Sequence, residues 1–333
     1  MNKFTDVYTK ARQVVENQQF SADWQNFLVK DCHIKSLLGP NGFDTDHSDA
    51  TNLIRKKIAS TATPGKVSSG EVIYKAADNG GNAGSIAERA ATIKMLKHLY
   101  RTSKKGGQDV WTYAAPKAYS NWIFDEITGN ADAIKNTLSK DEEIFTKKQM
   151  EWMSSALGVA LKISEDAKVK LANKKKCAKY VKRWFLDEDC GDEELDEAIK
   201  KLVAGFNKIS VTCNASTLVF ADYPNWRAHR DQYFGAAYTG GEGGGFPVIY
   251  LEGAFTRLTG NSGKKWLCAL TIIHEFSHHD VETSDHRYDH QGLKPNAASF
   301  PFAKTIDNAD SWAYFALDLA GYLSWSDRRK TLK

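Results

Sequence analysis

The chain has 333 residues, of which 42% are apolar and 26% charged, and its net charge is +4. This length favours two domains, and the composition is that of a folded protein. No run approaches the 18 apolar residues of a membrane-spanning helix, and the mild basic excess comes without a nucleic-acid-binding motif, so we expect neither a membrane span nor a nucleic-acid partner. The five cysteines are widely spaced and predict no disulfide framework.

Residues 1–145 predict a mostly α N-terminal domain. Helical patterns over Asp6–Gln18 and Ile86–Tyr100 alternate there with turn-rich stretches, and no motif carries recognisable chemistry. A polar stretch over Gly129–Glu143 predicts the domain boundary. Three roles stay open for this region: an inhibitory prodomain, a targeting or delivery module, and a structural extension.

Residues 146–333 predict a mainly helical domain with a small sheet, so the fold class expected for the chain is α+β. Apolar residues recur at helix spacing from Met150 to Leu161, and a basic helix follows that ends near Trp184. Short segments of β character are predicted next, over Ile209–Thr212, Leu218–Ala221 and Val248–Leu251.

A helix predicted to begin near Lys264 holds the sequence HEFSH at residues 274–278. Histidines at positions i and i+4 lie on one helix face, where His274 and His278 can both bind one zinc ion. Glu275 can take a proton from the attacking water and pass it to the leaving amine. The motif predicts a catalytic metal site, whereas a helix end that merely carries histidines is the structural alternative.

A catalytic zinc ion needs a third protein ligand and an open position for water. Metzincins place a glycine and a histidine three and six residues after the second ligand, but Val281 and Ser284 stand at these positions. The last helix, predicted over Asp310–Leu323, has no glutamate at a suitable place. A nearby aspartate is therefore the remaining candidate.

Three sequence blocks, HEFSH at 274–278, TSDHRY at 283–288 and NADS at 308–311, occur in this order. They resemble the aspzincins, a family that includes deuterolysins and peptidyl-lysine metalloendopeptidases and whose pattern is HExxH, GTxDxxYG and NADS. Weaker similarity extends the resemblance over roughly residues 150–325. The resemblance implies a zincin-like metalloprotease domain within residues 146–333.

The resemblance also implies roles for residues outside the helix motif. Asp285 would be the third zinc ligand, and Tyr288 would stabilise the oxyanion that forms during the reaction. Asp310 matches an aspartate that binds the substrate lysine in lysine-specific members, whose second acid is replaced here by Ala313. The structural alternatives are a packing role for Tyr288 and stabilisation of a helix N-terminus by Asp310.

Several positions depart from the family pattern. Glu282 and Asp289 replace two glycines, and Glu252 stands where secreted members commonly have a disulfide cysteine. The N-terminal sequence shows no apolar secretion signal. We expect a divergent member that is cytoplasmic or is exported without a classical signal, as an effector or toxin with an inhibitor or immunity protein as partner.

The predicted function is a Zn²⁺-dependent endopeptidase that hydrolyses polypeptides, with a preference for lysine through Asp310. An extended substrate is expected to pair with Val248–Leu251 as an edge strand. The alternatives are a non-catalytic zinc-binding interaction protein and a zinc hydrolase of a non-peptide substrate. Glu275 favours catalysis, since a structural zinc site has no need of a carboxylate beside an open position.

Overall fold

A computed structural model describes residues 111–333 except 122, 141, 216–217, 225–233, 238–247, 259–262 and 264, together with Ala87, Ala91 and Lys94. The helix predicted over Asp6–Gln18 and most of the one predicted over Ile86–Tyr100 lie outside the described residues. The chain divides into two compact units, Met1–Phe145 with Ala221–Ala228 and Thr146–Phe220 with His229–Lys333.

The described part of the first unit includes one short strand, β1 Trp111–Tyr113, and the helices α1 Ile123–Glu126 and α2 Ala131–Leu138. The described residues Ala87, Ala91 and Lys94 are also helical. Helix α2 begins after Asn130, whose side-chain oxygen accepts a hydrogen bond from the backbone N–H of Ala133. The ring of Tyr119 is buried, and the ammonium group of Lys94 lies 5.2 Å from its centre.

The second unit begins with three helices: α3 Lys147–Leu171, α4 Lys174–Trp184 and α5 Asp192–Cys213. A capping box starts α3, in which the side chains of Thr146 and Gln149 each bond the other residue's backbone N–H. The helix predicted from Met150 onward and the basic helix that ends at Trp184 are both confirmed.

The β segment predicted over Ile209–Thr212 is wrong, because these residues form the last turn of α5. Ile209 is fully buried while Val211 is 70% exposed. Ile209 continues the buried face of α5 that includes Leu202 and Phe206, at helical spacing. Burial of this face overrides the local β preference of the branched side chains.

The strands β2 Val219–Ala221, β3 Gly235–Ala237 and β4 Val248–Leu251 join β1 in one small four-stranded sheet. Among the described strands of this sheet, β4 lies between β2 and β3, and β3 is at the edge. The prediction that Val248–Leu251 is an edge strand is therefore wrong. All four residues of β4 are buried, which suits an interior strand.

The remaining helices are α6 Gly253–Leu258, α7 Lys265–Val281, α8 Phe302–Thr305, α9 Ala309–Ala320 and α10 Trp325–Thr331. The helix predicted over Asp310–Leu323 corresponds to α9, but it ends earlier and α10 follows it. Gly321 has a φ of 84°, and the N–H of Tyr322 bonds back to Leu317, so a left-handed turn stops α9.

The core of the second unit forms where α3, α5, α7 and α9 pack together. The rings of Phe206 and Trp312 lie 5.4 Å apart, and Phe315 lies 6.1 Å from Phe206. Gly205 permits this packing, since a Cβ there would overlap the Trp312 ring. The α+β fold class is confirmed. Among the described helices, none has the length and apolar character to cross a membrane.

Candidate metal centre

The two predicted histidine ligands lie in the second half of α7, where His274 is buried and His278 is partly exposed. His274 is 8% exposed and Glu275 is 4% exposed. The rings of His274 and His278 are 4.8 Å apart, and their Nε2 atoms are 3.1 Å apart. One helix turn therefore directs both Nε2 atoms at the same point, as the i, i+4 spacing predicts.

A tight reversal after α7 returns the chain toward these histidines. Glu282 has a φ of 62°, a left-handed conformation that no other described residue except glycine adopts. This conformation suits glycine best, which accounts for the glycine in the family pattern. After the reversal, the N–H of Ser284 bonds to the carbonyl of Asp307 and its carbonyl accepts from the N–H of Ala309.

This loop brings Asp285 to the histidine pair. Its Oδ1 lies 3.3 Å from Nε2 of His274 and 3.4 Å from Nε2 of His278, and about a third of its side chain is exposed. Tetrahedral zinc with bonds of about 2.1 Å needs donor atoms about 3.4 Å apart. Two imidazoles and one carboxylate at this spacing fit a zinc ion with one position left open.

Hydrogen bonds behind the histidines fix which ring nitrogen faces Asp285. Nδ1 of His274 lies 2.8 Å from Oδ1 of Asp310, and Nδ1 of His278 lies 2.6 Å from the carbonyl of Thr283. Such bonds orient metal-binding histidines and select their tautomer. Sequence reasoning missed both contacts, and only the known need of a ligating histidine for such a partner could have suggested them.

Asp310, predicted to bind substrate, is 6% exposed in the first turn of α9. Its second oxygen accepts a hydrogen bond from the N–H of Asp289 at 2.8 Å. Both oxygens are thus bonded within the protein, which makes Asp310 a positioning residue for His274. The prediction that Asp310 binds substrate stays a prediction.

Glu275 lies beside the three donor atoms. Its carboxylate and the ring nitrogens of His274 and His278 all lie within 4.8 Å of one another. Burial raises the pKa of Glu275, and the opposing influence of the two histidines does not cancel this effect. A carboxylate with a raised pKa is a better proton acceptor, as a general base requires.

Tyr288 contacts both His274 and Asp285. Its ring stacks on His274 at 6.4 Å with an interplanar angle of 14°, and its hydroxyl donates to Oδ2 of Asp285 at 2.9 Å. Tyr288 is 42% exposed, so part of it is open to solvent. Burial and the charge of Asp285 raise the pKa of Tyr288, which keeps the hydroxyl protonated near neutral pH.

The structure thus brings His274, Glu275, His278, Asp285 and Tyr288 to one pocket. Residues 170–317 match the family model Aspzincin_M35, described as lysine-specific metallo-endopeptidase. These residues belong to the aspzincin family. The aspzincin segment runs from the end of α3 almost to the end of α9 and contains all five pocket residues.

The aspzincin match indicates a metallo-endopeptidase, and a metallo-endopeptidase requires a metal ion and a polypeptide substrate. A comparison with curated proteins found no match for the chain.

Proposed function

We propose that the chain is a zinc-dependent endopeptidase whose zinc ion is held by His274, His278 and Asp285. The observation that carries the proposal is the spacing of their three donor atoms, 3.1 to 3.4 Å. The Glu275 carboxylate beside them supports catalysis over a purely structural metal site, because a structural site has no use for a free carboxylate.

Zinc, when bound, supplies a Lewis acid that polarises the scissile carbonyl and makes water more acidic. Glu275 accepts the proton of the attacking water, which its raised pKa favours. The same carboxyl group then donates this proton to the nitrogen of the departing amine. Each turnover therefore returns Glu275 to its ionised form.

Tyr288 supplies a hydrogen-bond donor for the negative oxygen of the tetrahedral intermediate. Its single hydroxyl proton points to Asp285 in the structure, so it must rotate toward the substrate oxygen as charge develops there. A donor of this kind stabilises the transition state more than the ground state. We assign Tyr288 this role because its ring stacks on His274 while its hydroxyl is at the pocket.

The edge strand β3 is where we place an extended substrate. Gly235 in β3 lies so close to the base that a Cβ there would be 3.1 Å from Oε1 of Glu275. An edge strand offers unpaired backbone groups, and a peptide can add to it by backbone hydrogen bonds. This arrangement would carry the scissile bond past Glu275 and favours a polypeptide over a small substrate.

The finer part of the proposal is a preference for lysine. The description of the matched family supports it. Three aspartates near Tyr288, namely Asp285, Asp289 and Asp310, also make this part of the site acidic. Asp310 is buried and bonded on both oxygens, whereas the side chain of Asp289 next to Tyr288 is 50% exposed. We propose that Asp289 is the more accessible carboxylate for an incoming ammonium group.

The purified full chain tests this function through zinc content and cleavage of a denatured protein mixture, with cut sites determined by mass spectrometry. We expect one zinc ion per chain, and cleavage that Glu275→Gln abolishes without loss of zinc. Zinc binding with no cleavage before or after deletion of residues 1–145 would favour a non-catalytic interaction protein. Absence of zinc would contradict the proposal.

Two comparisons in the same assay address the finer proposals. If the parent chain cuts next to lysine and the Asp289→Asn variant cuts with a weaker preference for lysine, this result would support lysine recognition by Asp289. An unchanged preference would contradict it. Cleavage that appears only after deletion of residues 1–145 would support an inhibitory prodomain. Full activity of the intact chain would leave the delivery and structural roles for this region.

A further inference from the structure

The turn that carries Tyr288 has little structure of its own. It consists of Tyr288 and the short 3-10 helix Asp289–Gln291, closed by a hydrogen bond from the Tyr288 N–H to the side chain of Gln291. The Tyr288 ring is 42% exposed. The position of the catalytic hydroxyl therefore depends on the elements that hold both ends of this turn.

Helix α10 holds the far end of the turn. The N–H of Leu293, a fully buried residue, bonds to the carbonyl of Thr331 at 2.8 Å. Gly292 has a φ of 91°, and a Cβ there would overlap the backbone carbonyl of Lys333. The chain after the turn thus lies directly against the end of α10.

A separate contact holds the near end of the turn. The hydroxyl of Tyr314 in α9 donates to Oδ2 of Asp289 at 2.9 Å. Thr331 is 5% exposed, so the end of α10 is buried where its carbonyl accepts from Leu293. Helix α9 therefore holds one end of the turn, and α10 holds the other.

An ion pair anchors α10 itself. Arg328 bonds to Oδ1 of Asp318 at 2.9 Å, and the Asp318 side chain is fully buried. The other oxygen of Asp318 accepts hydrogen bonds from Arg183 and from the indole N–H of Trp184. Both oxygens of the Asp318 carboxylate thus have hydrogen-bond partners, and the bond to Arg328 attaches α10 to α9.

We propose that α10 is a positioning element for Tyr288, which acts through Thr331 on the turn and through Arg328 on Asp318. The family match ends at residue 317, so α10 and both ends of its ion pair lie outside the matched segment. The inference rests on the proposed function, because positioning matters only if Tyr288 takes part in the reaction.

The test compares Arg328→Ala with Arg329→Ala, each alone and combined with Tyr288→Phe. Arg329 is the matched control, since it is adjacent, exposed and stacked on Trp325 instead of bonded to Asp318. We expect Tyr288→Phe to lower kcat about 100-fold and Arg328→Ala to lower it about tenfold, with KM and zinc content unchanged. In the Tyr288→Phe background, Arg328→Ala should cause no further loss.

An equal loss from Arg328→Ala in both backgrounds would overturn the proposal, because the effect would then bypass Tyr288. Two milder variants cover the case in which Arg328→Ala fails to fold. Arg328→Lys keeps the charge beside Asp318 and should recover most of kcat, while Arg328→Met keeps most of the side-chain length but removes the bond to Asp318 and should lower kcat only in the presence of Tyr288.

Amide hydrogen exchange gives a readout that does not need activity. Exchange at residues 288–293 should be faster in Arg328→Ala than in Arg329→Ala, because loosening of α10 frees the Leu293 N–H. Equal exchange in the two variants would overturn the inference. If the chain binds zinc but cleaves nothing before or after deletion of residues 1–145, the proposed function fails, and this measurement still decides whether α10 holds the turn.

Discussion

The carboxylate of Asp310 lies 2.8 Å from Nδ1 of His274. This contact joins the first turn of α9 to the buried part of α7 and leaves Nε2 of His274 directed at Asp285. The other oxygen of Asp310 accepts the N–H of Asp289, which adjoins Tyr288. One buried carboxylate thus connects His274 to the turn that carries Tyr288.

Replacement of Asp310 by alanine should weaken zinc binding about 10- to 100-fold, because His274 loses the partner that orients its ring. Competition with a chromogenic chelator measures this affinity. Asp307→Asn is the matched control, since the Asp307 side chain bonds to His286 at 2.8 Å instead of to a zinc-binding histidine. Unchanged zinc affinity with a raised KM for lysine substrates would instead favour direct substrate binding by Asp310.

Zinc affinity should fall steeply as the pH is lowered. Burial alone would lower the pKa values of His274 and His278. Hydrogen bonds with Asp285 raise both values, and a hydrogen bond with Asp310 also raises that of His274. These bonds outweigh burial, so both pKa values are raised. Burial alone would raise the pKa of Asp285, yet its bonds to both histidines lower it. Protons and zinc compete for the same ring nitrogens.

The sign of this dependence follows from the raised histidine pKa values. At a pH above these pKa values the imidazoles are neutral and bind zinc. At a pH below them, each imidazole must release a proton before it can bind zinc. We expect the zinc Kd to rise by about two powers of ten per pH unit in the acidic range. Chelator competition at a series of pH values measures the slope, and a Kd that stays constant down to pH 5 would contradict it.

Gly235→Ala should lower kcat while zinc content stays constant. The added methyl group would lie 3.1 Å from Oε1 of Glu275 and 3.0 Å from the carbonyl of Tyr250, so either the base or β3 must shift. A misplacement of about 1 Å costs about 100-fold in rate. Steady-state kinetics with a fluorogenic peptide measures the loss.

The control for this substitution is Gly158→Ala on the exposed side of α3. A Cβ at Gly158 would meet no atom within 4 Å, so activity should not change. Stability should increase by about 0.5–1 kcal/mol, since alanine favours a helix more than glycine does. Equal kinetics for Gly235→Ala and Gly158→Ala would show that β3 does not constrain Glu275.

The sequence predicted best those parts of the site that depend on local spacing. Two histidines one helix turn apart must share a face, so HEFSH was sufficient to place His274, His278 and Glu275 together. Asp285 and Tyr288 came from the family resemblance, since their positions depend on the reversal at Glu282. The hydrogen bonds from Thr283 and Asp310 depend on tertiary packing, which no local pattern records.

The wrong predictions for β4 and α5, and the missed strand β3, also arise because a local pattern does not record tertiary packing. Gly235–Ala237 has no β-branched or aromatic residue, so nothing in its sequence marks the edge strand. The apolar run of β4 signals burial on both faces, which fits an interior strand better than the predicted edge strand. In α5, burial of Ile209 against the helical core decided the conformation of a segment whose local preference is for strand.

Gly205→Ala should destabilise the second unit. The higher helix propensity of alanine would by itself stabilise α5 by about 1 kcal/mol. However, the added Cβ would overlap the ring of Trp312, which is fully buried. Overpacking of this kind costs about 1–3 kcal/mol, so we expect a net loss in the free energy of unfolding, measured by urea denaturation. Gly158→Ala, with open space around it, should change stability in the opposite direction. Stabilisation by both substitutions would show that α5 and α9 can separate without cost.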